Sequence, residues 1–395
     1  MTDALLVLNA GSSSLKFAVF ERSAELPLLA KGGVSSLPDK PFLKVWSAGA
    51  GKVERALGSG PLDVRAAVGR VVDEIRSDDY FAGIAAVGHR IVHGGHDFSS
   101  ATELDDDALA ALHRLVPLAP LHQPVNLEIV DEAVKFFPQA RQFGCFDTAF
   151  HMARPHIATL YGLPRELTES GIVSYGFHGL SFGYIAGRLH EIYGPAAGGR
   201  VIVAHLGSGS SLCAIRDGKS VATSMGFSPL DGLVMSSRCG AIDPGVLLHL
   251  MEGQKMTASE ISDLLYRRSG LLGVSGISGD MRTLLASSEP TAREAVDLFV
   301  YRAGREIGSL AAALGGLDTL VFTAGIGENA PEVRERIGAT AAWLGVAIDS
   351  ARNREGETSI GAGGSSVEVL VIPTDEERAV AEEMLAVGGN RPGAI

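Results

Sequence analysis

Cysteine is nearly absent: three in 395 residues, Cys145, Cys213 and Cys239, scattered and without a CxxC pair. They supply neither a disulfide framework nor a zinc site, and they suit a reducing compartment. Long apolar runs are missing too. No stretch approaches the ~20 residues a membrane span needs. The opening MTDALLVLNAGSS has no basic segment and too short an apolar run for a signal peptide. These absences predict a soluble, cytoplasmic chain with no membrane partner. Excess positive charge is also lacking. A net charge of −12 argues against general affinity for nucleic acid. An acidic chain that handles anionic substrates must concentrate its cations locally, which directs attention to individual arginines. Finally, G-x-x-x-x-G-K-[ST] does not occur, so there is no Walker A loop.

What is present is ordinary for a globular protein, 46% hydrophobic and 20% charged. The length exceeds what one core usually serves and predicts two domains. Apolar runs of strand length fall at 4–10, 15–20, 85–92 and 141–146, with helical spacing at 105–118 and 127–137. The second half repeats the alternation. A helix is expected at 181–193, strands at 200–206 and 212–215, and a hairpin turn at Asp217-Gly218. A long helix at 291–314 precedes a strand at 319–323, a glycine turn, a helix at 331–344, a strand at 367–372 and a closing helix at 377–387. This is an α/β pattern.

Two segments match each other. VLNAGSSSLKFAVF and VAHLGSGSSLCAIRDG each read strand, Gly/Ser turn, strand, with Ser13-Ser14-Leu15 against Ser210-Ser211-Leu212. Half a chain apart, they predict a duplicated domain. Small residues let backbone N–H groups converge on an anion, so both turns are candidate phosphate sites. Isolated Gly/Ser turns are more often plain hairpins; the repetition favours phosphate. A third glycine stretch, Gly325-Ile326-Gly327-Glu328-Asn329-Ala330, has the form G-x-G-x-x-A. No ribose-binding acid in a βαβ unit follows it, so it is read as a nucleotide turn without nicotinamide. His89, His93 and His96 lack an acid or cysteine to complete a metal site and are assigned no metal.

The segments VLNAGSSSLKF, GHRIVHGG, CFDTAFH, YGFHGLS, AHLGSGSSL, MGFSPLDGL, SRCGAIDPG, TAGIGEN and TDEE resemble, in this order, those of the acetate kinase (acetokinase) family. The resemblance covers essentially the whole chain. It implies duplicated actin/hexokinase-like (ribonuclease H-like) α/β domains with an interdomain active-site cleft. The boundaries read 1–148 joined by the C-terminal helix 376–395, and 149–375. It implies reversible, direct in-line transfer of the ATP γ-phosphoryl group to acetate, giving acetyl phosphate and ADP. Mg²⁺ is the implied metal, with Mn²⁺ as the alternative, and a homodimer the implied assembly.

By the same resemblance, Asp147, His178 and Arg238 are catalytic. Arg90 holds the acceptor carboxylate, while Val92, Leu121, Phe177 and Pro229 surround its methyl group. Ser12, Ser14 and Lys16 form the first phosphate turn, and His205, Leu206, Gly207, Ser208 and Gly209 the second. Asp280, Met281 and Arg282, with Gly325, Ile326, Gly327, Glu328 and Asn329, surround the nucleotide. Asn9 and Glu376 lie at the metal. A planar, permanently charged guanidinium can grip two oxygens at once, which suits both arginine roles. Alone, Asp147 would read as a strand-end cap and each arginine as a surface ion pair. Ser208, Asp375 and Ala241 depart from the family pattern, which has Asn, Asn and Asp there. A propionate or butyrate kinase is the nearest alternative. An actin-like ATP-binding module is the alternative of another class, and it needs no acceptor arginine.

Overall fold

The computed structural model describes residues 3–11, 14–48, 51–58, 61–76 and 78–388. The chain divides into two compact units, Met1–Phe150 with Asp375–Ile395, and His151–Thr374.

The first unit is built on an eight-stranded sheet. Its strands are β1 (Ala4–Ala10), β2 (Leu15–Glu21), β3 (Leu28–Ser35), β4 (Phe42–Ser47), β5 (Gly51–Ala56), β6 (Ile84–Ile91), β7 (Thr102–Glu103) and β8 (Arg141–Phe146). They lie in the order β5-β4-β3-β2-β1-β6-β8-β7. β1 to β5 form an antiparallel meander, while β1, β6 and β8 run parallel. The helices Val64–Ile75 and Gln123–Phe136 bury Val68, Val71, Val72 and Ile129 against Leu6, Leu8 and Phe17. The helix Glu376–Gly388 also packs on β1, β6 and β8. Helices on a parallel sheet explain why β1 is buried along its whole length.

The second unit has five strands: β9 (Arg200–Leu206), β10 (Ser210–Arg216), β11 (Lys219–Thr223), β12 (Thr319–Thr323) and β13 (Glu368–Val371), ordered β11-β10-β9-β12-β13. Pairings β11–β10–β9 are antiparallel and β9–β12–β13 parallel. This repeats β3-β2-β1-β6-β8 of the first unit strand for strand, and is the duplicated α/β architecture expected. The 25-residue helix Pro290–Leu314 buries Phe299, Ile307 and Leu310 in this unit's core. The hairpin at Asp217-Gly218 has φ of 53° and 71°, the left-handed pair a two-residue turn requires.

Several expectations need correction. The Ser-Ser-Leu match is out of register with the sheets. Ala10 pairs with Leu15 and Leu206 with Ser210, so the ladders align Leu15 with Ser210, two residues before Leu212. The offset is even, so Phe17 and Leu212 still both face inward. The glycine stretch 325–330 is not an open turn: Ala324–Asn329 is a short helix, with the Glu328 carboxylate accepting the Ala324 N–H at 2.8 Å. Expected helices 105–118 and 331–344 stop at Arg114 and Thr340, each followed by a 3-10 turn. The strands β3, β4 and β5 were not anticipated, and neither was the helix Val64–Ile75, although Ala67, Val68, Val71, Val72 and Ile75 give it one apolar face behind the capping Asp63.

Gly88, in β6, marks where the C-terminal helix approaches most closely. A Cβ there would lie 2.4 Å from Met384 Sδ and 2.6 Å from Val380 Cγ1. Gly88→Ala should therefore lower stability by about 1–3 kcal/mol through overpacking. Denaturant unfolding checks this; an unchanged midpoint would mean that the helix can shift freely.

Candidate active site

In the first unit, three parallel strands deliver three polar side chains from their C-terminal ends. Asn9 lies near the end of β1, Arg90 near the end of β6, and Asp147 just past β8. The Asp147 N–H donates to the Ile91 carbonyl at 3.1 Å, which fixes the chain as it leaves the sheet. Arg90 Nε donates to Asp147 Oδ1 at 3.0 Å and Nη2 to Oδ2 at 2.6 Å, a bidentate pair. The side chains are only 14% and 2% exposed. Burial works against the Arg90 charge, but Asp147, Glu376 and Glu377 outweigh it and hold the group above its ordinary value. Among the described residues, Arg90 Nη1 makes only long contacts, 3.4 Å to Asn9 Oδ1 and 3.3 Å to the Ala10 carbonyl.

Asn9 Nδ2 donates to Glu376 Oε2 at 2.9 Å and Glu377 Oε1 at 2.7 Å. Two carboxylates thus converge on one amide at the start of the C-terminal helix. Glu377, not anticipated from the sequence, is raised above its usual range by burial first, with Lys16 pulling the other way. Its signal was the adjacent acid in TDEE. Lys16 is exposed and sits directly opposite Asn9 in the ladder. Gly11 N–H closes the first turn onto the Ser14 carbonyl at 2.8 Å; Ser12 lies outside the described residues. Val92 is buried and donates its N–H to Asn126, and Leu121 is half-buried ahead of the helix Gln123–Phe136.

The second unit assembles its own cluster. His178 caps the helix Gly179–Tyr193 in the left-handed region, φ 57° and ψ 24°, an uncommon conformation for a non-glycine residue. Its Nδ1 lies 2.8 Å from Ser211 Oγ, and its ring stacks on His205 with centroids 4.3 Å apart. His205 Nδ1 meets Ser181 Oγ at 2.8 Å, and Ser181 Oγ meets Thr374 Oγ1 at 2.8 Å. Thr374 N–H donates in turn to Glu328 Oε1 at 3.1 Å. Ser181, Ser211 and Thr374 were not singled out from sequence, because a serine's partner depends on tertiary packing. Gly209 lies between two of the candidate side chains: a Cβ there would meet His178 Nε2 at 3.2 Å and Arg238 Nη1 at 3.7 Å. Arg238 Nη1 also donates to the Pro229 carbonyl at 3.0 Å. Leu206 and Phe177 are core residues, and the Phe177 carbonyl accepts from His151 Nε2 at 2.9 Å.

The remaining candidates are less concentrated. Asp280 accepts the N–H groups of Arg282 and Thr283, capping the helix Met281–Leu285, and pairing with Arg282 leads in holding it below the usual carboxylate range. The Met281 side chain belongs to the hydrophobic core, so only its backbone is left to face a ligand. Ile326 packs on the same core, while Gly325 and Asn329 are exposed. Ser208 is exposed, and its carbonyl accepts from Ser236 N–H. Gly207 N–H is bound within its own turn. Among the described residues, no three His, Cys, Asp or Glu side chains are spaced to hold a metal.

Residues 4–382 match the model of the Acetokinase family. The chain belongs to the acetokinase family. An acetate kinase of Rhodopseudomonas palustris (strain TIE-1) is 52% identical over 399 residues, covering 98% of this chain and 100% of that protein. One from Rickettsia akari is 43% identical, covering 98% and 99%. Among solved structures, a propionate kinase from Francisella tularensis superposes with a TM-score of 0.89 at 36% identity, covering 97% and 99%. An acetate kinase from Porphyromonas gingivalis gives 0.85 at 38%, covering 98% and 99%. This acetokinase-family chain is thus matched along nearly its full length by acetate kinases and a propionate kinase.

Removing Asp147 would leave a largely buried guanidinium without its partner. Asp147→Ala should cost about 3 kcal/mol of stability, the low end for breaking a buried pair. Asp147→Ala combined with Arg90→Ala should recover part of that loss in denaturant melts. A double variant no more stable than Asp147→Ala alone would show that the pair is not what the carboxylate supports.

Proposed function

We propose that this protein is an acetate kinase, transferring the γ-phosphoryl group of ATP directly and reversibly to acetate. The observation that carries the reading is the orientation of Arg90. Asp147 occupies its Nε–Nη2 edge and fixes the plane of the guanidinium. Nη2 spends one N–H on Asp147 at 2.6 Å, and its second N–H, beside an Nη1 with only long contacts among the described residues, suits an acceptor carboxylate.

The chemistry asks little of proton transfer. Acetate is already ionised at neutral pH, so no general base is needed. One acetate oxygen attacks the γ-phosphorus, the bond to the ADP oxygen breaks in line, and the electron pair leaves with ADP. Charge redistributes over the three equatorial oxygens in a loose transition state. Arg238 and His178 are the donors proposed for those oxygens. Ser211, by engaging His178 Nδ1, orients the ring so that Nε2 can face the reacting group. His205, fixed through Ser181 and Thr374, would hold the second phosphate turn, with Gly207 and Gly209 giving the phosphates room for close approach. Val92, Leu121, Phe177 and Pro229 are proposed to surround the methyl group.

The carboxylates of Glu376 and Glu377, converging on Asn9, fit a hard divalent cation. Mg²⁺ binds through one or two carboxylates and keeps waters and phosphate oxygens in its remaining positions. Glu376 and Asn9 would hold it, and when bound it offsets the phosphate charge; Mn²⁺ meets the same donors. Propionate is the second acceptor, supported by the likeness to the Francisella tularensis propionate kinase.

Hydroxylamine trapping tests the reaction. Acyl hydroxamate should form only with ATP, Mg²⁺ and a carboxylic acid, with acetate best, propionate second and butyrate poor. One methylene in an apolar pocket is worth about 1–3 kcal/mol, so each step should cost about 10- to 200-fold in kcat/KM. Arg90→Ala should chiefly raise KM for acetate, and Arg238→Ala chiefly lower kcat. Formation of no hydroxamate from any acid would defeat the reading.

A homodimer is also proposed, supported by the helix Pro244–Glu252. None of its residues is buried, yet Val246, Leu248 and Met251 are apolar, with Leu248 58% exposed. An apolar helix left open to water calls for a partner surface, and in a two-fold pair each copy presents the same surface. Leu248→Glu should convert a dimer into a monomer by light scattering. A dimer that survives it would place the interface elsewhere.

A further inference from the structure

Lysine is unevenly placed. The chain has eight, and four of them, Lys16, Lys31, Lys44 and Lys52, line one groove on the β2–β5 meander. Strand pairing puts them in two adjacent cross-strand rows: Lys16–Gly33–Lys44–Glu54, and Ala18–Lys31–Trp46–Lys52. Directly paired residues point to the same face of a sheet, so the four ammonium groups share one surface. Glu54 takes up part of two charges, lying 3.3 Å from Lys44 and 2.8 Å from Lys52. Glu377 closes one end near Lys16. Lys31 has no ion-pair partner among the described residues. The groove therefore carries net positive charge on a chain whose total is −12.

Shape supports the charge argument. The groove has a volume of about 510 Å³, within the range of small-molecule sites. A side chain is missing at its centre. Gly33, between Lys16 and Lys44 in the first row, runs so close to the neighbouring strand that a Cβ would lie 2.3 Å from the Leu15 carbonyl oxygen. Its bare backbone leaves a trough between these two lysines. Trp46, 39% exposed, stands among them. An exposed indole beside ammonium groups suits a flat aromatic ring that carries negative charge.

We infer that this groove binds a planar aromatic polyanion of nucleotide size, its ring against Trp46 and its anionic groups on Lys31, Lys44 and Lys52. It adjoins the first phosphate turn through Ser14 and Lys16, but the inference does not depend on the phosphoryl-transfer reading.

The test uses the full-length chain and pyranine (8-hydroxypyrene-1,3,6-trisulfonate), a planar fluorescent trianion. Trp343 is the chain's other tryptophan, so a Trp343→Phe background makes Trp46 the sole indole reporter. Pyranine should bind at one site per chain and quench Trp46 with the same midpoint that its own anisotropy reports. Lys31→Glu with Lys44→Glu should weaken binding at least 10-fold, and Trp46→Ala should weaken it while leaving both lysines in place. Neither change should move kcat for acetate by more than about twofold. GTP should displace pyranine at lower concentration than inorganic tripolyphosphate, which lacks the ring. Binding that survives both the lysine and the tryptophan changes, or that leaves Trp46 emission unaltered, overturns the inference. Equal displacement by tripolyphosphate overturns the aromatic requirement. Should the double lysine variant unfold, Lys31→Gln alone applies the same criterion.

Discussion

The pairing of Arg90 with Asp147 is the interaction around which the first unit's site is arranged. It depends on parallel strands. β6 and β8 run side by side with Arg90 opposite Cys145, so the chain past β8 brings Asp147 level with the arginine. Antiparallel strands would have sent the two chain ends to opposite edges of the sheet. Parallel strands require crossovers, and the helix Gln123–Phe136 lies in the connection between β6 and β8. That helix also supplies Asn126, which receives the Val92 N–H immediately after β6. The crossover thus both makes the parallel pairing and steadies its exit.

The second unit uses the same plan differently. Its first hairpin turn follows His205, where the first unit has Asn9, one residue before the end of the equivalent strand. Asn9 gathers two carboxylates; His205 stacks on His178 and reaches Ser181. One position in the duplicated plan has become anionic in its surroundings and the other a hydrogen-bonded histidine pair. A duplicated strand-turn-strand supplies the geometry, and the residue at the strand end supplies the chemistry.

Legibility followed physical locality. Buried parallel strands such as Ala4–Ala10 and Arg200–Leu206 were readable because both faces are apolar, and the Asp217-Gly218 turn because its backbone needs left-handed residues. β4 and β5 were not readable. Lys44, Trp46, Lys52 and Glu54 expose one face, and β5 has little apolar content to set a period. The short helix Ala324–Asn329 was missed for another reason. Its glycines read as a turn, but Glu328 reaches back to the Ala324 N–H and Asn329 to the Gly325 carbonyl, stabilising a helical turn that intrinsic preference disfavours. Arg90, Asp147, His178 and Arg238 could be named through the family resemblance. Ser181, Ser211 and Glu377 could not, since their roles come from neighbours distant in sequence.

The three departures from the family pattern show how much a site position must also serve the backbone. Asp375 precedes the helix Glu376–Gly388, and its Oδ1 accepts the Arg378 N–H at 2.9 Å while its carbonyl accepts that of Ala379. These are the bonds of an N-cap, a position where Asp and Asn are nearly equivalent, so this exchange preserves the helix start that carries Glu376. Ser208 holds its turn through its carbonyl, which accepts the Ser236 N–H, so the shorter side chain leaves that contact intact. Ala241 likewise acts through its backbone, donating to the Gly232 carbonyl at 2.9 Å. The acceptor Gly232 is itself constrained: its φ is 91°, and a Cβ there would lie 2.5 Å from the Ser224 carbonyl oxygen. The loop before Arg238 is therefore set by main-chain bonds and a glycine. A side chain at 241 can change without releasing the loop that leads to the arginine.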